Sequence, residues 1–503
     1  MTRGRRPSCG LATILLAVAA LCRCGQAPAP AAGTSGPIRI GLFASPASLD
    51  PHQYNEFVTF SVLSNVYEGL TALSPGLGVE PALAETWANP DELTWRFKLR
   101  KGVVFHDGRP LTSADVVASL ERARTHPNSE FRSYLATVKG VRGAGDDGVE
   151  IVTERPTAVL LARLAFVLVV PKDAPAEITD PVGTGPYRLT RKAMRDPIVL
   201  TAFDRHWAPA PAVRAVELHV VRDPARVSAV AAGDVDMLID VRAEDVEEAR
   251  RAGLRVLSAS GPAVDVLQMR IDVAPFSDPR VRRALHLALD RQAFVDRVLL
   301  GQGTASGQLV SANVFGFDPT LEPPVRDLAT ARRLLAEAGH PRGLDAELEF
   351  RRDPGVDEIA RQLAEAEIRI VPRPRHWHEL LDRLSKGQVS LAYLAMVSDS
   401  GESGDLLEST LHTKDPARGY GDSNESGYSN PALDALVEAS GRTARLDERR
   451  SLLQRAMRLA MQDLPLVPVA QRKLIWVLGP RVDFGLRTDG RVLAKDLRRV
   501  TAE

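Results

Sequence analysis

The chain has 503 residues, and its 64 lysines and arginines balance its 64 aspartates and glutamates. At ~100–200 residues per domain, this length predicts at least two domains, each with ample material for a core. Four arginines and no acid fall in the first 24 residues, so the remainder is slightly acidic, with 60 basic against 64 acidic side chains. No stripe of basic residues interleaved with aromatics occurs, which argues against nucleic acid as a partner.

The N-terminal segment has the pattern of a secretory signal peptide. A basic region with Arg3, Arg5 and Arg6 precedes an apolar run from Leu11 to Leu21. This run is too short to span a bilayer, because a spanning helix needs ~20 apolar residues. We therefore expect residues 1–24 to direct export, either to the periplasm or to the outer face of the cell membrane.

Two cysteines near the end of this segment are candidates for lipidation. Cys24, with Leu21 three residues before it, resembles the cleavage box of bacterial lipoproteins, although Arg23 stands where such boxes have a small residue. We expect a lipid anchor at Cys24; Cys22 is the alternative position, and cleavage nearby without lipidation is a further alternative. The stretch 25–37 has no core-forming residue and is predicted to be a flexible tether.

The remainder of the chain offers little material for metal, thiol or hydrolytic chemistry. All three cysteines precede the tether, which excludes disulfides and cysteine ligands from the body. His376 and His378 are the only clustered histidines, and they precede leucines at helical spacing, so a surface or capping role is favoured over a metal site. No G-x-S-x-G motif occurs and spacing selects no carboxylate pair. We therefore predict no enzyme, no metal and no cofactor.

Residues 93–125 carry the clearest local pattern. Four apolar residues alternate with polar ones, which predicts a strand with one buried face: Leu93, Trp95, Phe97 and Leu99. Asp107-Gly108 predicts a turn, and Thr112 with Asp115 predicts a capped helix that follows it. Further apolar runs predict strands at 38–43, 149–153, 165–170 and 391–397.

These segments, read as a string, resemble a known family. Ala84-Glu85-x-Trp87 followed by FKLRKGVVFHDGRPLTSADVVASLER, residues 97–122, closely resembles the signature of solute-binding protein family 5. Members of that family are the extracytoplasmic receptors of peptide and nickel ABC importers. Further landmarks of the resemblance are Ser48–His52, Tyr67–Leu70, Pro181–Tyr187, Gly233–Met237, Tyr428–Pro431 and Pro465–Pro468.

The resemblance covers essentially all of the chain after the tether and implies its fold. We expect an α/β, bilobal fold like that of type II periplasmic binding proteins, with a hinge between the lobes and an extra subdomain inserted in lobe I. The implied segments are lobe I at 38–81, 180–262 and 475–503, the inserted subdomain at 82–179, and lobe II at 263–474.

The resemblance also implies a function. The protein should trap a small solute between its lobes and deliver it to the permease subunits of an ABC importer, without making or breaking a bond. A peptide is the expected solute and a monomer the expected state. The alternatives are an oligosaccharide, chelated nickel or another small solute, or a sensor or chaperone of the same fold; an exported hydrolase is less favoured.

The expected binding residues come from the two sides of the interlobe cleft. Asp399 follows the predicted strand 391–397, and in peptide receptors of the family an acid at the matching place holds the α-amino group of the ligand. The structural alternative is that Asp399 only caps the next helix. Where such receptors have Trp-x-x-Asp, this chain has Met396-Val397-Ser398-Asp399. The full set of expected ligand-binding residues is Asn55, Glu56, Phe57, Phe131, Tyr134, Val397, Ser398 and Asp399.

Overall fold

The computed structural model describes residues 36–191, 197–443 and 445–500. The predicted signal peptide, both candidate lipidation sites, Cys22 and Cys24, and most of the tether lie outside the described residues. In the part of the chain that is described, no helix is both long and apolar enough to cross a membrane.

The described residues form a mixed α/β structure, as predicted. The strands, in chain order, are β1 (Ile38–Leu42), β2 (Thr71–Leu73), β3 (Val79–Pro81), β4 (Ala84–Asp91), β5 (Thr94–Leu99), β6 (Val138–Gly143), β7 (Gly148–Thr153), β8 (Tyr187–Arg191), β9 (Ile198–Ala202), β10 (Ala215–Val220), β11 (Met237–Leu238), β12 (Arg255–Met269), β13 (Gly303–Ala305), β14 (Leu344–Arg351), β15 (Ile368–Arg375), β16 (Leu391–Val397), β17 (Leu466–Leu478), β18 (Val482–Phe484) and β19 (Leu497–Arg499).

The α-helices, in chain order, are α1 (Phe57–Leu63), α2 (Ser113–Thr125), α3 (Leu160–Arg163), α4 (Arg226–Ala231), α5 (Val246–Arg251), α6 (Pro279–Ala288), α7 (Arg291–Arg297), α8 (Leu328–Glu337), α9 (Gly355–Ala364), α10 (Trp377–Ser385), α11 (Ser403–Leu406), α12 (Pro431–Arg442) and α13 (Leu446–Asp463). Short 3₁₀ or π turns occupy Ser133–Leu135, Ala243–Asp245, Leu407–Leu411 and Ala494–Asp496.

One large sheet runs through the body in the order β15-β14-β16-β12-β17-β11-β1-β10-β9-β8, with β13 also paired to β17. Its two longest strands, β12 and β17, are antiparallel and stay paired from Arg255 opposite Leu478 to Gln268 opposite Leu466. The register of this pair shifts between Ser260 and Val264 and again between Asp265 and Val266. We call the part built on β1 and β8–β11 the first lobe and the part built on β14–β16 the second lobe.

A separate sheet in the order β4-β5-β7-β6, with α2, forms what we call the small-sheet subdomain. The predicted alternation is confirmed in β5, where Trp95, Phe97 and Leu99 are buried, while Leu93 precedes the strand and is exposed. The predicted helix cap is also confirmed. The Asp115 carboxylate accepts hydrogen bonds from the Thr112 backbone N–H at 2.9 Å and the Thr112 hydroxyl at 2.6 Å.

The prediction of a strand at 165–170 is wrong. These residues follow α3 as a turn and an extended segment outside any sheet, yet all of them are buried. An apolar run predicts burial more reliably than it predicts strand pairing. One carbonyl of this segment, that of Leu168, hydrogen-bonds the His52 imidazole at 2.7 Å.

A buried ion pair joins α2 to the segment before α1. Asp50 is 1% exposed, and its carboxylate accepts hydrogen bonds from the Arg122 guanidinium, at 2.9 Å for one pair of atoms, and from the backbone N–H of Ile178 at 3.2 Å. Burial raises the pKa of Asp50, but Arg122 and the N–H of His52 more than offset this, so its pKa is lowered. The pair therefore ties the small-sheet subdomain to the first lobe.

We predict that Arg122→Ala will lower the free energy of unfolding by about 3–5 kcal/mol, because it leaves the Asp50 carboxylate buried and unpaired. Arg124→Ala, on the same helix, is the matched control, since Arg124 is paired with the partly exposed Glu121 and should cost only about 0–1 kcal/mol. Urea unfolding of the two variants tests this, and equal losses would contradict the structural role of Asp50 and Arg122.

Candidate functional site

A cavity of about 250 Å³ lies beyond the C-terminal end of β16, where segments of the first lobe, the small-sheet subdomain and the second lobe meet. Four of the expected binding residues line it, Asn55 and Tyr134 on one side and Val397 and Asp399 on the other. The other charged residues of its wall are Arg155, Arg163, Asp405, Glu408 and Asp422. Such a wall suits a small polar or charged solute better than an apolar one.

Asp399 lies two residues beyond the end of β16 and has no ion-pair partner among the described residues. The helix that follows, α11, begins at Ser403 with Glu402 at its N-cap position, so Asp399 is not the residue that caps it. Part of the Asp399 side chain is open to the cavity. The structure therefore favours a cleft position over the capping alternative.

The electrostatics around Asp399 disfavour its charged form in the absence of a ligand. The Asp399 side chain is exposed, but the protein atoms around its carboxyl partly desolvate it, and this desolvation raises its pKa. The guanidinium of Arg491 opposes the rise, whereas the carboxylates of Asp405 and Asp489 add to it. A cation placed against Asp399 would relieve this unfavourable state.

Tyr134 and Phe131 have different positions relative to the cavity. Tyr134 lines it, and burial followed by the charge of Asp399 raises the pKa of its phenol. Phe131 is 0% exposed and packs behind it, with ring centroids 5.8 Å from Tyr134 and 6.2 Å from Phe60. Tyr134 is thus the aromatic side chain of this pair that a solute in the cavity can contact.

The three consecutive candidates at positions 55–57 also differ in their positions relative to the cavity. Asn55 lines the cavity, and its backbone N–H donates to the Glu130 carboxylate at 2.9 Å. Glu56 is the N-cap of α1, where its carboxylate accepts from the N–H groups of Val58 and Thr59. Phe57 stacks on Phe43, with ring centroids 6.4 Å apart. The structure therefore brings Asn55, but not Glu56 or Phe57, into the wall of this cavity.

The residues just before Asp399 differ in exposure. Val397 is 46% exposed and lines the cavity. Ser398 is 2% exposed, its backbone N–H donates to the Pro262 carbonyl at 3.2 Å, and its hydroxyl has no hydrogen-bond partner among the described residues. Ser398 therefore joins the end of β16 to the region where the register of β12 shifts.

A second cavity, of about 400 Å³, adjoins the first and shares Val397 with it. Arg351, Arg352 and Trp377 line it, and both arginines are exposed and form no ion pair with a described residue. Neither arginine was predicted from the sequence. They stand at the carboxyl end of β14, which is parallel to β16, and that placement is the signal that could have found them.

Two further arginines missed from the sequence, Arg155 and Arg163, lie between β7 and the end of α3. Arg155 contacts the Glu408 carboxylate, and Arg163 contacts those of Asp405 and Glu408, all in the segment that follows β16. Isolated arginines in a connecting segment carry no pattern that predicts such long-range contacts.

Two other places with polar clusters carry no comparable site. A cavity of about 360 Å³ in the first lobe contains Glu68, but that carboxylate already bonds Thr184, His206 and Trp207. His376 is exposed and stands at the N-cap position of α10, where its side chain makes no cap hydrogen bond. In the described ranges, no group of three or more histidine, cysteine or acidic side chains is arranged to hold a metal ion.

Comparison with known proteins agrees with this architecture. The chain is 25% identical over 483 residues to the heme-binding protein A of Haemophilus influenzae, with 87% of each chain covered. It is 27% identical over 470 residues to a probable di/tripeptide-binding protein 5 of Pseudomonas aeruginosa, with 85% of this chain and 88% of that protein covered. The solved structure of HbpA2 from Haemophilus parasuis superposes with a TM-score of 0.82 at 23% identity, covering 93% of this chain and 100% of that one.

The predicted two-lobed periplasmic-binding-protein fold is confirmed by these structural neighbours. The family model for bacterial extracellular solute-binding proteins, family 5, matches residues 78–417, a span that includes the small-sheet subdomain and Asp399. The chain therefore belongs to family 5 of the bacterial extracellular solute-binding proteins.

Proposed function

We propose that this protein is the extracytoplasmic substrate-binding component of an ABC importer and that it captures a peptide-like solute between its lobes for delivery to the permease. The observation that carries the proposal is the Asp399 carboxyl, which lines the cavity at the end of β16, is exposed and has no ion-pair partner among the described residues. Such a group binds a cation favourably because the ion pair removes the cost of an isolated charge.

The α-amino group of a peptide is the cation that fits this position best. Arg351 and Arg352, in the adjoining cavity, offer a place for the opposite, anionic end of the same solute. A solute with an amino group and a carboxylate would therefore find complementary charges on the same side of the cleft. A zwitterionic solute fits these charges better than a neutral oligosaccharide does. The charged wall of the first cavity also suits it better than a large apolar solute.

The backbone of β16 supports the same choice. β14 pairs with β16 only at Ala392 and Tyr393, so the later residues of β16, 394–397, are unpaired on that edge within the described chain. An extended peptide can add to such an edge through main-chain hydrogen bonds, which give affinity without reading side chains. Asp399 would then fix the amino end of the added strand.

Closure of the lobes would enclose the solute. We place the hinge at the register shift of the β12–β17 pair, with lobe I at 38–81, 180–262 and 475–503, the inserted subdomain at 82–179 and lobe II at 263–474. We further propose that the exported protein is a monomer with a lipid anchor at Cys24 or Cys22, and that it binds its solute without catalysing a reaction.

We predict that Asp399→Asn will weaken the binding of short peptides by about ten- to a hundredfold, because a charge-assisted hydrogen bond contributes about 1.5–3 kcal/mol. Calorimetric titration with a panel of di- and tripeptides, each compared with its N-acetylated form, measures this. N-acetylation should weaken binding to the wild type but have little further effect on the variant.

Asp382→Asn is the control for this titration, because Asp382 is exposed on α10 and pairs with Lys386, the residue just after that helix. The affinity of this variant for the peptides should equal that of the wild type. Equal binding of free and N-acetylated peptides by the wild type would contradict the assigned role of Asp399, and a panel without any binder would contradict the peptide as solute.

The raised pKa of Asp399 gives a second prediction, on the protein freed of solute. The folded state holds the proton more tightly than the unfolded state, so the ionised carboxyl destabilises the fold at neutral pH, and this effect disappears below the ordinary pKa of ~3.9. Asp399→Asn should therefore raise the melting temperature near pH 7, with the difference shrinking as the pH falls towards ~4.

Asp272→Asn is the opposite control for the melts. The Arg270 guanidinium lowers the pKa of Asp272 through hydrogen bonds of 2.9 and 2.6 Å, so this substitution should lower or leave unchanged the melting temperature at pH 7. A lower melting temperature for Asp399→Asn at pH 7 would show that the Asp399 carboxylate stabilises the ligand-free fold, contrary to this account.

A further inference from the structure

Arg155, in the segment between β7 and α3, inserts its guanidinium into the second lobe. It forms a two-pronged contact with the Glu408 carboxylate, at 3.1 and 2.6 Å, and it donates to the backbone carbonyl of Arg418 at 3.0 Å. Its guanidinium carbon also lies 3.8 Å from the ring centroid of Tyr420. The contact combines a carboxylate, a carbonyl and an aromatic face, which together match the planar guanidinium group.

The surface of the second lobe that contacts Arg155 is stabilised by contacts of its own. The Tyr420 ring stacks on the His412 imidazole at a centroid distance of 4.1 Å, with the planes 12° apart. The backbone N–H of Gly421 donates to the Glu408 carbonyl at 3.0 Å, which fixes the loop against the helical turn. The pocket for Arg155 is therefore held by contacts within the second lobe, independently of Arg155.

Arg163, at the end of α3, makes a second contact of the same kind. Its guanidinium donates to Asp405 at 3.0 and 2.6 Å and to Glu408 at 3.0 Å. Burial alone would raise the pKa of Glu408, but Arg163 and Arg155 outweigh it and hold that pKa below its ordinary value. Both arginines and Glu408 have at most 11% of their side-chain surface exposed.

We propose that Arg155 is a positioning residue that holds the two lobes closed and thereby sets solute affinity, with Arg163 and Glu408 as its partners. These contacts, which we call the arginine latch, join residues 253 and 245 positions apart in the chain. They stand in the wall of the cavity, so opening the cleft must separate them. The inference rests on the proposed closure of the lobes but not on the identity of the solute.

The latch would act on the equilibrium between open and closed lobes. When only the closed form binds tightly, the apparent dissociation constant increases in proportion as the closed fraction falls. In the open form, water can hydrate the separated arginines, whereas in the closed form removing one partner leaves Glu408 less well paired. Arg155→Ala should therefore open the ligand-free protein. It should also weaken binding of the tightest peptide of the panel by about tenfold or more.

Small-angle X-ray scattering of the ligand-free protein measures the first effect, since opening increases the radius of gyration. Arg155→Ala and Glu408→Gln should both be more expanded than the wild type, because each disrupts the two-pronged contact, while Arg163 still binds Asp405 in both variants. Arg155→Lys should recover only part of the closure, since an ammonium group cannot form the two-pronged contact. Titration of the tightest peptide of the panel should follow the same order.

Arg142→Ala is the matched control. Arg142 lies in the small-sheet subdomain and contacts Glu150 within that subdomain, at 2.8 Å for one pair of atoms, with 73% of its side chain exposed. It should match the wild type in both measurements. Unchanged melting temperatures would show that the variants stay folded, and Glu408→Gln provides a second test should Arg155→Ala fail to fold.

An unchanged radius of gyration and an unchanged affinity in folded Arg155→Ala or Glu408→Gln would overturn the arginine latch. A change in radius together with no peptide binding by the wild type would instead contradict the peptide as solute and leave the latch supported. The two failures are therefore distinguishable.

Discussion

The pairing of β12 with β17 is the constraint on which the rest of the structure depends. These two strands run through both lobes, so an antiparallel ladder attaches each lobe to the other. The ladder is interrupted where the register shifts, and Gln471 donates there to the Gly261 carbonyl at 2.9 Å. On the second-lobe side, Arg472 donates to Asp265 at 2.7 Å and to Asp353 at 2.8 Å. A stiff ladder whose two register shifts both fall within residues 260–266 favours rotation about that region over sliding of the lobes.

The motifs that carry the family resemblance build the frame around the cleft rather than its wall. Asp50 pairs with Arg122, and this pair ties the Ser48–His52 motif to α2. His106 bonds the Gly185 carbonyl at 2.9 Å, and Glu68 accepts from the Thr184 hydroxyl at 2.8 Å. The contacts of Arg122 and His106 hold the small-sheet subdomain against the first lobe. None of these residues lines the cavity at the end of β16.

Local pattern predicted the elements better than the contacts between them. The alternation in β5, the cap of α2 and the bounds of β16 follow from neighbouring residues, because period and capping are local properties. The position of Asp399 followed from the resemblance combined with the rule that strand ends carry sites. Arg155 and Glu408 could not be predicted, since charged residues are common along the chain and nothing local pairs two of them 253 positions apart.

Native mass spectrometry of the protein purified from its own host tests the central claim most directly. The account predicts one bound small molecule whose fragments identify a peptide with a free amino group, present on the wild type and lost or strongly reduced on Asp399→Asn. A bound solute without a cationic nitrogen, or equal occupancy of the two proteins, would contradict the assignment of Asp399 as the residue that holds the solute.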